Sequence, residues 1–264
     1  MGNSVSGFQD LSGVSPLRPN RPPISGQAGL QALFRAEQVD EYRKQVQESP
    51  LNRSARAGQN YMPTPYSIDR IVPLADMNEP WPSGQVVWMD PTADEGLPHT
   101  RPPDLICISK DFPQADLANT LLHERVHVSQ RLHPKAWLNL FGDTWQFKVW
   151  SGGFPADIET RRRINPDLLG APLFIWKDTW VPLALFKSTV KPRLSETDLV
   201  WWDAKARTLL RTPPPGWLDF FGNVPAGEHP YELIAYLVAA NPKQNKAYQA
   251  IKPRLVTLPT AAVL

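Results

Sequence analysis

Thr120-Leu121-Leu122-His123-Glu124-Arg125-Val126-His127-Val128-Ser129-Gln130 is the stretch of this sequence that most strongly constrains both fold and chemistry. On an α-helix, residues four positions apart lie on the same face, so His123 and His127 can direct two imidazoles at one metal ion. Glu124 is rotated away from that face, and its carboxylate is expected to reach a water molecule on the metal. Zinc lowers the pKa of such a water, and a carboxylate can take its proton as general base. The stretch therefore predicts a zinc site with hydrolytic chemistry.

The residues before this stretch place it on a helix that follows a buried strand. The continuously apolar run 104–109 predicts a central β-strand. Asp111-Phe112-Pro113-Gln114 is typical of a helix start, with Asp111 as N-cap and proline in the first turn. Pro134 is expected to end this helix after about Leu132.

In this context the sequence resembles the zincin superfamily of metallopeptidases, on the segment from Asp104 to Gln130. The resemblance implies an α+β fold, in which a small mixed β-sheet packs on the motif helix and a helical and β C-terminal subdomain forms the other side of a cleft. It also implies a bound Zn²⁺ ion and a peptide or protein substrate. Glu124 would be the general base in the hydrolysis of peptide bonds.

A catalytic zinc normally has a third protein ligand, and several residues compete for that role. His133 lies where the metzincin branch of the superfamily has its third histidine, but Gln130 replaces the glycine at which that branch turns. A tight turn with positive φ is costly at glutamine, which argues against His133. Asp157 and Glu159, on a predicted helix soon after the motif, are further candidates.

The preferred third ligand is Glu232, in Glu228-His229-Pro230-Tyr231-Glu232-Leu233-Ile234-Ala235-Tyr236. This segment resembles the gluzincin helix in which a glutamate completes a His-His-Glu site. Tyr236 is one turn along the same face and is the predicted catalytic hydrogen-bond donor to a developing oxyanion. His229 and Tyr231 are alternative donors, and an N-cap or an aromatic core contact would explain each of the three residues equally well.

The sequence divides into three parts. Residues 1–27 are rich in Gly, Ser and Pro and predict a flexible arm. Residues 28–66 are expected to form an amphipathic helix up to Glu48, ended by Pro50, and then a linker. The helix could be an inhibitory prosegment, a partner-binding helix or a helix packed on the domain. The zincin-like domain is expected at 67–264.

Further elements follow from periodicity and proline positions. Helices are predicted over 134–150, 155–164 and 229–240, and strands over 71–74, 85–89, 173–176, 181–186, 199–202 and 208–210, the last two paired as a hairpin.

Composition argues against several classes of function. The 28 basic and 26 acidic residues give no electrostatic reason for a nucleic-acid partner. The single cysteine, Cys107, cannot form an intramolecular disulfide. No stretch reaches the roughly 20 apolar residues of a membrane-spanning helix, and no secretory signal is visible. We therefore expect a cytoplasmic protein.

The first six residues, Met1-Gly2-Asn3-Ser4-Val5-Ser6, fit the pattern for N-myristoylation at Gly2. One myristoyl chain gives only weak, reversible membrane binding, so the pattern predicts peripheral membrane association. It also indicates a eukaryotic host or a virus that uses one.

Two other functions fit the same motif. One is a zinc hydrolase that acts on a different amide or small substrate. The other is a structural or interaction protein, membrane-associated or part of a virion, on a zincin fold with lost or secondary catalysis. The presence of Glu124 argues against the latter, because a purely structural zinc has no need of a base.

Overall fold

The computed structural model describes residues 24, 26–64, 81, 84–225 and 227–258. They form a mixed α+β protein with two β-sheets. The predicted lipidation at Gly2, most of the flexible arm, the strand 71–74 and the domain start near residue 67 lie outside the described residues. No helix within these ranges is both long enough and apolar enough to cross a membrane.

The smaller sheet is mixed and has its most apolar strand in the middle. Its strands are β1 (Gln85–Met89), β2 (His99–Arg101) and β3 (Leu105–Ser109), in the order β1-β3-β2. β3 pairs parallel with β1 and antiparallel with β2, and all five of its residues are buried. The prediction of a central strand is therefore confirmed. The run is continuously apolar because a strand covered on both faces has no solvent-facing side.

The motif helix, α4 (Gln114–Leu132), packs on one face of this sheet. Ile106 and Ile108 of β3 contact the cluster that contains Leu117 and Leu121 of α4. The helix begins at Gln114 and has no side-chain cap, so the predicted N-cap role of Asp111 is wrong. Pro113 itself occupies the N-cap position, where its missing N–H breaks no helical hydrogen bond.

The opposite face of the sheet is covered by the first helix of the chain, α1 (Gly26–Asp40). Leu105 and Cys107 of β3 join Leu33 and Ala36 of α1 in a second buried cluster. Since successive side chains of a strand point to opposite faces, β3 contributes to both clusters. The amphipathic helix is thus packed on the domain, which is one of the three roles that its sequence allowed.

The N-terminal segment is more broken than its sequence predicts. Glu41 adopts a left-handed backbone conformation (φ 49°) between α1 and α2 (Tyr42–Glu48). The helix end at Glu48 is as predicted, but Pro50 then starts a further helix, α3 (Pro50–Ala55), in the range predicted as a linker. Proline is well suited to a first helical position, because the N–H that it lacks has no partner there.

A buried polar network ties this segment to the sheet. The Arg56 Nε donates to Asp94 Oδ1 at 2.8 Å, and the Tyr42 hydroxyl donates to the same oxygen. Both side chains of the Arg56–Asp94 ion pair are 3% exposed. Asp94 follows β1 in a short helical turn and has φ 47°, a conformation that Asp and Asn tolerate better than most residues.

Replacing Asp94 by Asn is expected to lower the free energy of unfolding by roughly 3 kcal/mol, because it leaves the Arg56 charge buried without a counter-ion. Asn keeps the size and backbone tolerance of Asp. Asp143→Asn is the matched control, since its partner Arg254 is exposed, and it should change stability by less than about 0.5 kcal/mol. Urea unfolding of both variants is the measurement. Equal, small effects would show that the buried pair does not hold the segment in place.

The larger sheet is antiparallel and follows chain order: β4 (Phe147–Val149), β5 (Phe174–Trp176), β6 (Trp180–Phe186), β7 (Thr197–Asp203) and β8 (Thr208–Leu210). The predicted hairpin is confirmed by the antiparallel pairing of β7 with β8.

Two helices are shorter than their sequences predict. α5 (Pro134–Trp145) ends at Gln146, whose φ of 61° reverses the chain into β4 in place of the helix predicted to 150. α6 (Ala156–Arg161) takes only the middle of the range predicted over 155–164.

The main core lies between this sheet, α5 and three later helices, α7 (Trp217–Phe221), α8 (Pro230–Ala240) and α9 (Lys246–Leu255). It is unusually aromatic, with Trp137, Trp145, Phe141, Phe147, Phe174, Trp176, Trp217 and Phe221 buried together. α8 packs along α4, and this pairing builds the candidate site.

Candidate metal centre

α4 places its two histidines side by side, as the four-residue spacing predicts. The Nε2 atoms of His123 and His127 lie 3.0 Å apart. The side chain of His127 is fully buried, whereas that of His123 is 13% exposed. One imidazole is therefore enclosed by protein and the other faces a pocket.

α8 supplies a carboxylate to the same point. Glu232 Oε2 is 3.4 Å from His123 Nε2 and 3.5 Å from His127 Nε2. Pro230 is the first residue of α8, and His229 caps it by accepting a hydrogen bond from the Tyr231 N–H. Ala235 has no exposed surface, and its small side chain suits the close packing of α8 on α4.

The separations of the three ligand atoms fit a zinc ion. Metal–ligand bonds of about 2.0 to 2.2 Å in a tetrahedral site place ligand atoms roughly 3.3 to 3.6 Å apart. The two distances to Glu232 fall in this range, and the distance between the histidine nitrogens is slightly shorter. His123, His127 and Glu232 are the group of residues in the described part of the chain that could hold a metal ion.

The charges at this point favour a cation. Burial by itself raises the pKa of Glu232, but the His127 and His123 side chains outweigh it and hold that pKa well below its ordinary value. Burial lowers the pKa of His127, whereas the Glu232 carboxylate raises it, to about 10 in balance. Glu232 therefore stays ionised beside the two imidazoles, and one carboxylate with two imidazoles is a donor set suited to a divalent metal ion.

Two of the three candidate ligands, His127 and Glu232, are each oriented by an amide side chain. His127 Nδ1 lies 2.8 Å from Gln130 Oε1, and Gln130 Nε2 donates to the Tyr231 carbonyl at 3.1 Å. Asn165 Nδ2 donates to Glu232 Oε1 at 2.7 Å, which leaves Oε2 directed at the histidines. Such outer partners fix the orientation of metal ligands.

The loop that carries Asn165 is held by the N-terminal segment. The Asn52 side chain donates to the Arg162 carbonyl and accepts from the Ile164 N–H, both at 2.8 Å. Arg56 donates to the Ile164 carbonyl, also at 2.8 Å. α3 and the residue that follows it therefore position a loop of the candidate site.

The Glu124 carboxylate lies in the same pocket as His123 and Glu232. It is buried, and within the described ranges its Oε2 has no hydrogen-bond partner. Burial and the nearby Asp167 carboxylate raise the pKa of Glu124 well above its ordinary value. A raised pKa suits a carboxylate that takes up a proton and later returns it.

A pocket of about 460 Å³ opens beside these residues and is lined by His123, Glu124, Glu232 and Tyr236. The ring of Tyr236 packs edge-on against that of His123, with 4.5 Å between the centroids. Burial raises the pKa of Tyr236, so its hydroxyl stays protonated and can donate a hydrogen bond. Phe112, Leu97, Leu194 and Ala239 give the pocket apolar walls.

The other candidates for third ligand lie elsewhere. His133 joins α4 to α5 and is outside the group of converging ligand atoms. Asp157 and Glu159 are exposed on α6, where Glu159 pairs with Arg162. His229 and Tyr231 take the structural roles named for them, since His229 caps α8 and Tyr231 is buried in the aromatic core.

Several residues of the pocket were not predicted from the sequence. His99 on β2 and Asp167 line it, and Asp167 Oδ1 accepts two hydrogen bonds of 2.6 Å, from the N–H and the hydroxyl of Thr100. No local pattern distinguishes these polar residues from surface residues. The fold alone brings them to the pocket.

Comparisons of the chain with protein-family models, with curated proteins and with solved structures found no match.

Proposed function

We propose that this protein is a zinc-dependent metallopeptidase of the zincin type, with His123, His127 and Glu232 as zinc ligands. The observation that carries the proposal is the convergence of three ligand atoms, 3.0 to 3.5 Å apart, beside the buried carboxylate of Glu124. The small mixed sheet packed on the motif helix supports a zincin-like fold, and the glutamate from a later helix supports its gluzincin branch.

The residues of the pocket can share the work of amide hydrolysis. When bound, a zinc ion would supply a Lewis acid that acidifies water and polarises a carbonyl group. Glu124 would take the proton of the attacking water and return it to the nitrogen of the leaving amine as the C–N bond breaks. The Tyr236 hydroxyl would donate a hydrogen bond to the oxyanion that forms on the substrate.

The pocket volume is within the range of small-molecule sites, so the substrate panel should include short peptides and simple acyl amides as well as proteins. We expect elemental analysis to find about one zinc ion per chain. A chelator should abolish hydrolysis, and added zinc should restore it.

Failure to bind zinc after reconstitution would overturn the proposal. Stoichiometric zinc without hydrolysis of any substrate in the panel would instead favour the structural or interaction protein.

A further inference from the structure

Gln130 is at the position where the metzincin branch has a glycine that makes a turn, but in this structure the residue lies within a helix. α4 continues through Gln130 to Leu132, and Gln130 is 1% exposed. A buried amide must satisfy both its oxygen and its nitrogen. The two partners of Gln130 therefore define its role.

The orientation of the Gln130 amide follows from the chemistry of its partners. The Tyr231 carbonyl can only accept, so the Gln130 NH₂ group faces it at 3.1 Å. Gln130 Oε1 then faces His127 Nδ1 at 2.8 Å, and because Oε1 can only accept, Nδ1 must carry a proton. A histidine binds a metal in its neutral form, and in that form a proton on Nδ1 leaves the lone pair on Nε2, the atom that faces His123 and Glu232.

The same amide links the two helices that supply the ligands. One end of Gln130 contacts His127 on α4, and the other contacts the backbone of the residue before Glu232 on α8. His127 and Glu232 are thus aligned through one side chain, although 105 positions separate them in the sequence numbering.

We propose that Gln130 is a positioning residue that fixes the Nδ1–H tautomer of His127 and sets the distance between the histidine and glutamate ligands. The proposal rests on the proposed function, because it assigns Gln130 to the zinc site. It extends that function by naming a determinant of metal affinity outside the ligands and the base.

The test compares Gln130→Met, which keeps the length of the side chain but removes both hydrogen bonds, with Gln130→Glu, which keeps an acceptor for His127. Ser129→Ala is the matched control, since Ser129 is buried in the same turn and accepts a hydrogen bond from Trp137, away from the ligands. Zinc affinity is measured by competition with a chromophoric chelator. Thermal unfolding of each metal-free variant establishes that it is folded.

Removal of an outer-shell partner typically weakens metal binding by about 10- to 100-fold, and we expect this loss for Gln130→Met. Gln130→Glu should bind zinc more tightly than Gln130→Met, and Ser129→Ala should bind it like the wild type. Equal zinc affinity of Gln130→Met and wild type would overturn the proposal and leave Gln130 a structural residue.

A second readout does not require zinc. In ¹⁵N-labelled metal-free protein, the His127 Nδ1 proton should give a slowly exchanging resonance, because it is buried and bonded to Gln130. This resonance should shift and exchange faster in Gln130→Met. Its absence from the wild type would overturn the positioning role. Its presence in a wild type that binds no zinc would show that the proposed function had failed, although Gln130 does orient His127.

Discussion

Glu124→Gln is expected to lower kcat/KM for amide hydrolysis by about 100- to 10,000-fold, the usual contribution of a general base. Gln has the size of Glu but cannot take the proton of the attacking water. The zinc content should stay at that of the wild type, because Glu124 is outside the group of ligand atoms. The measurements are steady-state kinetics on the best substrate of the panel and elemental analysis of the same sample.

Glu159→Gln is the control for this substitution, since Glu159 is exposed on α6 and pairs with Arg162. It should leave both zinc content and kcat/KM unchanged. If Glu124→Gln retained hydrolysis within about tenfold of the wild type, below the range for a general base, a different group would have to move the proton.

The elements that could be predicted have strong local signals. β3 is a continuous apolar run, and α8 starts at a proline and is mostly apolar. The juxtaposition of His123 and His127 follows from helical geometry alone. The 3.0 Å between the two Nε2 atoms shows that this spacing is sufficient to bring two imidazoles together.

The breaks between elements could not be predicted, because they occur at residues without a turn signal. Glu41 and Gln146 adopt left-handed conformations that sequence-based reasoning assigns to glycine or asparagine. Tertiary packing stabilises these conformations at a cost that the local sequence does not show. α9 was not predicted either. It contains Pro253 in its last turn, and proline within a helix normally argues against that helix.

The contacts that orient the ligands are long-range and therefore invisible in a single sequence. Asn165 reaches Glu232 and Gln130 reaches the Tyr231 carbonyl only after α4, α8 and the loop around Asn165 have packed together. In the sequence, the Gln130 position was informative only as a departure from one branch of the superfamily. In the structure, Gln130 lies within α4 and its amide contacts both His127 and the Tyr231 carbonyl.

Glu232→Ala is expected to weaken zinc binding by more than about 100-fold, which is the upper end of the effect of an outer-shell partner. The substitution removes a ligand atom and also the negative charge that attracts the metal to this buried point. His133→Ala should bind zinc like the wild type, since His133 joins α4 to α5 away from the converging atoms. The pair of variants distinguishes a gluzincin-like site from a metzincin-like one.

Competition with a chromophoric chelator gives both affinities, and thermal unfolding of the metal-free proteins separates loss of a ligand from loss of the fold. Asp157→Ala is a third variant, because Asp157 was also a candidate ligand and is exposed on α6. Loss of zinc in His133→Ala or Asp157→Ala, with tight binding in Glu232→Ala, would contradict the ligand set. If Glu232→Ala alone kept its zinc affinity, two histidines would be sufficient to bind the ion. We do not expect this result, because a buried divalent ion without a counter-charge is unfavourable.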